Sequence, residues 1–210
     1  WLNGKWQLIT YQTEPIRLTP KWMGSSMMAF GLNPIGNEKA PPLLLFKGTT
    51  YLTDKGFSLS LLADLNPFAS VGTYSFYMGK GTIKAWFDKQ KHKANVYGKS
   101  LGGAQSLRCV LNFPEKVEKV MTIGSPGFHS RDLKAWDRII QTHPHDHPQI
   151  HMVSQMHDII PLVDNVADSP GVSYYQVIGE RPQKGVIAHA GMAVTNTRSV
   201  IIRLDPSLEA

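Results

Sequence analysis

The sequence predicts an α/β fold with a mostly parallel central sheet flanked by helices. Strand-like apolar runs alternate with helix-spaced segments along the 210 residues, a pattern typical of βα units. The hydrophobic content of 42% is enough to build the core of one domain. No internal repeat, low-complexity run or Gly/Ser-rich linker divides the chain. We therefore predict a single domain over residues 1–210. Because the sequence starts at Trp1 rather than at a methionine, truncation at the N-terminus is an alternative that stays open.

The first half of the chain supplies three predicted strands and one helix. The alternating KWQLITYQ and the run MMAFGL indicate early strands, and Pro15 lies among the residues that break the chain between them. Residues 41–50, PPLLLFKGTT, contain a short continuous apolar run, as expected of a strand buried on both faces. GTIKAWFDKQK spaces three apolar side chains as one face of a helix, with lysines on the other face.

The second half alternates more regularly. ANVYG predicts a strand and SLGGAQSLRCVLNF a helix, after which VEKVMTIGSPG predicts another strand. SRDLKAWDRIIQT predicts a helix with Ser130 as its N-cap. QIHMVSQ, VSYYQVIG and SVIIRLD complete the set of strands.

A G-x-S-x-G pentapeptide, residues 98–102, lies between a predicted strand and a predicted helix. A turn this sharp strains the backbone of Ser100 and lifts its hydroxyl clear of the sheet, beside a helix N-terminus that favours negative charge. A phosphate-binding Walker loop is excluded because Lys93 stands where the first glycine of that motif would fall. A glycine-rich turn without chemistry is the alternative, and the strand–turn–helix context disfavours it.

A serine nucleophile needs a base, and the base needs an acid that holds it. Asp158 follows a predicted strand, and His189 lies in a small-residue, apolar stretch near the C-terminus. The order Ser100, Asp158, His189 is the one that α/β-hydrolases use. His157 is a competing base, but adjacent side chains usually diverge along a strand or loop.

Four segments, in this order, resemble the class 3 lipases, the family that includes fungal triacylglycerol lipases. They are LLLFKGTT, VYGKSLGGAQ, VMTIGSPG and MHDIIPLV, and with His189 the resemblance covers residues 41–192. The resemblance implies an α/β-hydrolase-like fold and a serine hydrolase that cleaves carboxylic ester bonds of lipids through an acyl-enzyme. It also implies an oxyanion hole formed by the backbone N–H groups of Thr49 and Leu101, and such a mechanism requires no metal or organic cofactor.

Two lysines depart from the family pattern. Lys47 stands where arginine is usual, and Lys99 stands where the elbow usually has histidine. Neither position supplies the nucleophile or the base. Family members commonly carry a lid between the oxyanion strand and the elbow, and residues 51–77 match that span. Exposed, this apolar segment would indicate a lipid contact, and packed against the sheet it is ordinary core.

The formal charge of +6 and a pI of about 9.4 favour binding to an anionic partner. The partner we predict is a lipid or other ester substrate, with an anionic membrane surface as a further partner. Nothing resembles an interleaved aromatic and basic motif for nucleic acid. The compartment stays open between a soluble, a secreted and a membrane-surface protein, and the sequence does not determine the oligomeric state.

Three further features bear on function. The histidine-rich run HPHDHPQIH, residues 143–151, looks like a metal cluster, but two prolines break any helix that could align its imidazoles, so an exposed loop is favoured. Cys109 is the single cysteine, and it is predicted to be a core residue. The alternative to an enzymatic function is a catalytically silent module that keeps the hydrolase fold and binds a lipid or a protein.

Overall fold

The structure is a computed structural model that describes residues 8–19, 28–36, 39–48, 73–155, 158, 170–178 and 200–204. In chain order its elements are β1 (Thr10–Arg17), β2 (Met28–Ile35), β3 (Leu43–Phe46), α1 (Thr73–Asp88), β4 (Ala94–Lys99), α2 (Leu101–Asn112), a 3₁₀ turn (Pro114–Lys116), β5 (Val117–Ile123), α3 (Ser130–Thr142), β6 (Gln149–Gln155), β7 (Val172–Ile178) and β8 (Val200–Leu204).

The eight described strands form one sheet, in which spatial neighbours follow chain order. β3, β4, β5, β6 and β7 pair in parallel, whereas β1–β2, β2–β3 and β7–β8 pair antiparallel. The parallel centre places the carboxyl ends of five consecutive strands, β3 to β7, along one rim. The predicted α/β architecture with a mostly parallel sheet is confirmed.

The three described helices pack on one face of this sheet. Parallel strands laid down in a single direction by right-handed crossovers put every connecting helix on the same side. One row of residues on the helix-bearing face runs across five neighbouring strands. Its members are paired in register from β2 to β6, and they are Gly31, Leu44, Val96, Val120 and Ile150. α2 lies centrally over β3, β4 and β5, and its first ten residues are all buried. Of the described helices, none has the length and apolar character to cross a bilayer.

Large side chains fill the space between the helices and the sheet. Trp86 and Phe87 of α1 are each 1% exposed, and Phe87 packs its ring 5.5 Å from that of Phe113. Trp136 of α3 is fully buried and donates its indole N–H to the carbonyl oxygen of Pro170 over 2.8 Å. Cys109 is also fully buried, so its prediction as a core residue is confirmed.

Three element boundaries differ from those predicted from the sequence. β1 runs through Pro15 instead of ending before it, because β1 is the outermost of the described strands, a position where a proline is tolerated. α1 begins at Thr73, well before the predicted Gly81, since its first turns bury Phe76 in the core. The N-cap of α3 is His129 rather than Ser130, and the His129 ring accepts a hydrogen bond from the Arg131 N–H over 3.3 Å.

Candidate active site

Ser100 occupies the sharp turn between β4 and α2. Its backbone has φ 54° and ψ −125°, and among the described non-glycine residues it is the one with a positive φ. Such a conformation costs about 1–3 kcal/mol, so the surrounding structure must enforce it. The carbonyl oxygen of Ser100 accepts the N–H of Gly103 over 2.8 Å, and this bond opens α2. The predicted strand–turn–helix elbow is therefore present at the predicted serine.

Glycines allow the elbow to lie against its neighbours. A Cβ on Gly98 would overlap the carbonyl oxygen of Gly102, and a Cβ on Gly102 would overlap the carbonyl oxygen of Phe46. Gly48, just past β3, is equally tight, because its Cβ would lie 2.6 Å from the carbonyl oxygen of Lys99. The end of β3 and the elbow are thus in direct backbone contact.

This contact brings the turn that carries Leu101, one of the two predicted oxyanion donors, to the end of β3. The other predicted donor, Thr49, follows that strand end in the chain. Leu101 is the first residue of α2, where helix geometry leaves the backbone N–H without an intrahelical partner. A Cβ on Gly102 would also lie 3.1 Å from the backbone nitrogen of Gly48, so β3 reaches the first turn of α2. Thr49, the other predicted donor, follows Gly48 directly and lies outside the described residues.

Asp158 lies at the same rim of the sheet, beyond β6. Its N–H donates to the carbonyl oxygen of Gln155 over 3.0 Å, which fixes a turn directly after the strand, and the residue is only 6% exposed. Ser100 follows β4, and β5 lies between, so two strand spacings of about 4.8 Å separate the two positions. A serine and an aspartate so far apart need a bridging group. The predicted base His189 and its competitor His157 both lie outside the described residues.

Two hydroxyl groups on β6 and β7 form a pair that the motifs of the sequence do not reveal. The Ser154 hydroxyl on β6 and the Tyr174 hydroxyl on β7 are hydrogen-bonded to each other. Burial raises the pKa of Tyr174, and the negative charge of Asp158 raises it further, against an opposing effect of the bond to Ser154. No sequence signal marks this pair, since a serine and a tyrosine in separate strands become neighbours only through the register of the sheet.

The histidine-rich run does not gather around a common point. The His147 ring packs edge-on against Trp136, with 5.9 Å between ring centroids, and His151 lies on β6 with its ring 5.8 Å from that of Tyr175. Asp146 forms an ion pair with Lys93 over 2.5 Å. Within the part of the chain that the structure describes, no group of three or more His, Cys, Asp or Glu residues could hold a metal ion.

The lysines of the α1 region are mostly matched by carboxylates. Lys84 pairs with Asp88 over 2.6 Å, and Lys89 pairs with Glu14 over 2.8 Å. Lys80 lies over the Tyr77 ring, 5.5 Å from its centroid. With Lys93 paired to Asp146, three lysines of this region, which could otherwise attract an anionic surface, are already in ion pairs.

The two lysines that depart from the lipase pattern follow paired positions of the sheet. Phe46 and Gly98 are register partners of β3 and β4, and Lys47 and Lys99 are the next residues of the chain after them. Lys47 is exposed and Lys99 is half-buried. Among the described residues, no carboxylate forms an ion pair with either lysine. A local excess of positive charge therefore adjoins the elbow serine.

No protein-family model matches the sequence, and no curated protein matches it at a significant level. Among solved structures, a lipase from Rhizopus microsporus var. chinensis is similar at 16% identity and a TM-score of 0.47, over 82% of this chain and 63% of that one. A carboxylesterase from Bacillus subtilis is similar at 13% identity and a TM-score of 0.42, over 86% of this chain and 87% of that one.

A third similar structure is the 2-hydroxy-6-oxo-6-phenylhexa-2,4-dienoate hydrolase from Rhodococcus sp., at 13% identity and a TM-score of 0.47, over 88% of this chain and 94% of that one. The chain thus spans less than two thirds of the fungal lipase and most of the other two hydrolases. The α/β-hydrolase-like fold is carried by the chain's own features, namely the parallel sheet, the helices that flank it and the strained serine between β4 and α2.

Proposed function

We propose that this chain is a serine hydrolase that cleaves carboxylic ester bonds of lipids through an acyl-enzyme. The observation that carries the proposal is the strained backbone of Ser100 at the strand-to-helix turn. Strain of this kind persists only where neighbouring contacts enforce it, and it is typical of catalytic positions. A turn without chemistry has no need of a non-glycine residue at a positive φ.

The proposed mechanism has three steps. The Ser100 hydroxyl loses its proton to His189 as its oxygen attacks the ester carbonyl, and the tetrahedral intermediate then expels the alcohol, which takes that proton. Water next gives a proton to the same imidazole as its oxygen attacks the acyl-enzyme, and this proton passes to the Ser100 oxygen as the carboxylic acid is released. Asp158 holds the imidazolium throughout. The distance of two strands between Ser100 and Asp158 suits this scheme, because an imidazole placed between them can reach both.

The tetrahedral oxyanion needs donors that are in place before the reaction. Loss of one such donor costs on the order of a hundred- to a thousandfold in rate. We assign the Leu101 N–H at the start of α2 and the Thr49 N–H after β3 to this role. Support comes from the backbone contact between Gly48 and the elbow, which brings the strand end that precedes Thr49 beside the nucleophile.

The substrate we propose is a lipid ester presented at an anionic surface. Support comes from Lys47 and Lys99, whose neighbouring charges adjoin Ser100 without a carboxylate partner among the described residues. Like charges on adjacent strands repel each other, and an anionic group placed near both would relieve that repulsion. The lysines of the α1 region contribute less, since most are already in ion pairs.

The test is reaction with a fluorophosphonate probe and with a short-chain p-nitrophenyl ester. We expect the wild-type chain to be labelled at Ser100 and to release p-nitrophenol, and Ser100→Ala to do neither. Circular dichroism of both proteins serves as the folding control. Absence of both labelling and turnover in folded wild-type protein would contradict the proposed hydrolase activity. The alternative, a lipid- or protein-binding module, would then be the function.

A further inference from the structure

The outer side of α1 carries an exposed pair of aromatic residues. Tyr74 is 65% exposed and Tyr77 is 52% exposed, and residues three apart in a helix lie on the same side of it. Phe76, which stands between them in the chain, is fully buried in the core. All three belong to the apolar span 51–77, of which the structure describes residues 73–77. In this described part, Phe76 serves the core and the two tyrosines face solvent.

A cation lies beside the aromatic pair. The Lys80 ammonium is 5.5 Å from the centroid of the Tyr77 ring and 5.8 Å from that of Phe113. Within the described part of the chain, no carboxylate forms an ion pair with Lys80. The sequence of α1 contains one acidic residue, Asp88, at its last position. Tyr74, Tyr77 and Lys80, which we call the α1 patch, thus form a surface that is aromatic and positively charged.

The α1 patch lies at the end of the sheet that carries Ser100. Because the chain must run back between the parallel strands β3 and β4, α1 begins at the rim where β3 ends. The Ser75 hydroxyl accepts a hydrogen bond from the side-chain amide of Gln105 over 2.9 Å, and Gln105 is in the second turn of α2. The first turns of α1 and α2 are therefore held side by side, and the patch lies one helix away from the elbow.

We propose that the α1 patch docks on an anionic lipid surface and holds the rim that carries the elbow close to the lipid. The inference rests on the proposed function, since it names the contact by which a surface that contains the ester is engaged. Tyrosine suits such a contact because its ring enters the boundary between acyl chains and headgroups while its hydroxyl stays hydrated. A lysine beside it covers apolar surface with its methylene groups and places its ammonium among anionic headgroups.

The positive charge at this end of the molecule favours a lipid surface over a protein partner. Lys47 and Lys99, which lie at the carboxyl ends of β3 and β4, share with Lys80 the lack of a carboxylate partner among the described residues. An acidic protein would have to match the positions of these charges with fixed carboxylates. Mobile anionic headgroups can gather around each lysine without such a match.

The experiment measures binding to vesicles of ether-linked phosphatidylcholine and phosphatidylglycerol in equal parts, which contain no carboxylic ester to cleave. Tyr74→Ser with Tyr77→Ser should lower the vesicle affinity at least about tenfold, because the apolar area of both rings is lost. Leu8→Ser with Ile35→Ser is the matched control, since these side chains are 99% and 53% exposed and lie near the opposite end of the sheet. This control should bind like the wild type.

The cation of the patch is tested separately by Lys80→Gln. This change should weaken binding to the anionic vesicles about fivefold, as expected for one lysine near such a surface, and should leave binding to phosphatidylcholine vesicles unchanged. Lys84→Gln removes the same charge one helical turn further on, but Lys84 is already paired with Asp88 over 2.6 Å. Its effect should therefore stay below about twofold. Equal effects of the two changes would overturn the assignment of Lys80 to the contact.

Turnover of a soluble p-nitrophenyl ester separates this inference from the proposed function. The tyrosine double variant should keep wild-type turnover and circular dichroism, because neither ring belongs to the elbow. If the wild type is active and the double variant binds vesicles equally well, the docking surface is wrong, the proposed function stands, and a protein partner is indicated for the patch. If the wild type has no turnover but binds vesicles through the tyrosines, the hydrolase is wrong and the docking surface stands. Tyr74→Ser alone, which alters the more exposed ring, decides the outcome if the double variant fails to fold.

Discussion

The backbone N–H of Ser100 donates to the carbonyl oxygen of Ile123 over 2.9 Å, so the elbow is bonded to the strand beside it. In the same rim, Gly124 donates to the carbonyl oxygen of Val153 over 2.7 Å. These two bonds continue the parallel ladder past the ends of β4 and β5. The strained turn is therefore held by the sheet on one side and by the first turn of α2 on the other, which explains how a positive φ persists at a serine.

The first prediction separates strain from chemistry at this position. Ser100→Ala and Ser100→Gly both remove the nucleophile, so neither should hydrolyse esters. Ser100→Gly should nevertheless be more stable than Ser100→Ala by about 1 kcal/mol, because glycine adopts a positive φ without a Cβ penalty. Thermal or urea unfolding of the two variants measures the difference. Equal stability, or a more stable alanine variant, would show that Ser100 carries no backbone strain.

The second prediction concerns the glycines of the elbow. Gly102→Ala places a methyl group against the carbonyl oxygen of Phe46, a backbone atom that cannot move aside, so we expect a destabilisation of several kcal/mol and loss of activity. Gly81→Ala is the matched control, since Gly81 is an exposed position of α1 and a Cβ there meets nothing within 4 Å. It should stabilise the protein by about 0.5–1 kcal/mol through helix propensity. The reverse order of stabilities would contradict the elbow geometry.

The fold could be predicted from the sequence because apolar periodicity is a local property. α2 and β6 begin and end within a residue or two of the boundaries that their patterns indicate. The start of α1 could not be predicted in this way, because Tyr74 and Tyr77 are 65% and 52% exposed and obscure the apolar face that buries Phe76. Edge position, which lets β1 run through Pro15, is also decided by the assembled sheet and not by local sequence.

The site could be predicted as far as its motifs reach. G-x-S-x-G specifies a local turn, so Ser100 and Leu101 were identifiable from five letters and their context. The burial of Asp158 and the neighbouring hydroxyls of Ser154 and Tyr174 depend on which strands pair, and pairing between distant segments leaves no mark in a short motif. That Lys47 and Lys99 follow paired positions depends in the same way on the β3–β4 register.

The third prediction decides between the two candidate bases. His189→Ala should reduce ester hydrolysis about as severely as Ser100→Ala, because members of a triad act as a unit. His157→Ala should reduce it far less, since His157 adjoins the acid in sequence and its side chain is expected to diverge. Rates per folded molecule, with circular dichroism as the control, measure both. If His157→Ala is the more damaging change, the base is misassigned.

The fourth prediction uses the burial of Cys109. Desolvation raises the pKa of this fully buried thiol well above its ordinary value, so the folded protein keeps it neutral where the unfolded chain would ionise. Stability from this group is present below the ordinary thiol pKa and is lost as pH rises from that value toward the folded one. Native protein at about pH 9 should therefore resist a thiol-specific disulfide reagent, and denaturant should release one thiol per chain. Rapid reaction of the native protein would contradict this burial.

The last prediction concerns the anionic surface. If Lys47 and Lys99 gather the domain there, replacing both with glutamine should weaken binding to anionic vesicles about thirtyfold, since each lysine near such a surface is worth about 1 kcal/mol. Lys84→Gln with Lys93→Gln is the matched control. It also removes two positive charges, from +6 to 6 − 2 = +4, but these lysines are already paired with Asp88 and Asp146.

Salt provides a second test of the same prediction. Raising the salt concentration should lower wild-type activity on anionic vesicles, because the attraction is screened within about 10 Å at about 0.1 M, while activity on a soluble ester stays constant. Equal salt sensitivity for both substrates would contradict docking on an anionic surface. Equal damage from the two double variants would show that net charge alone acts and that the lysines beside Ser100 have no special role.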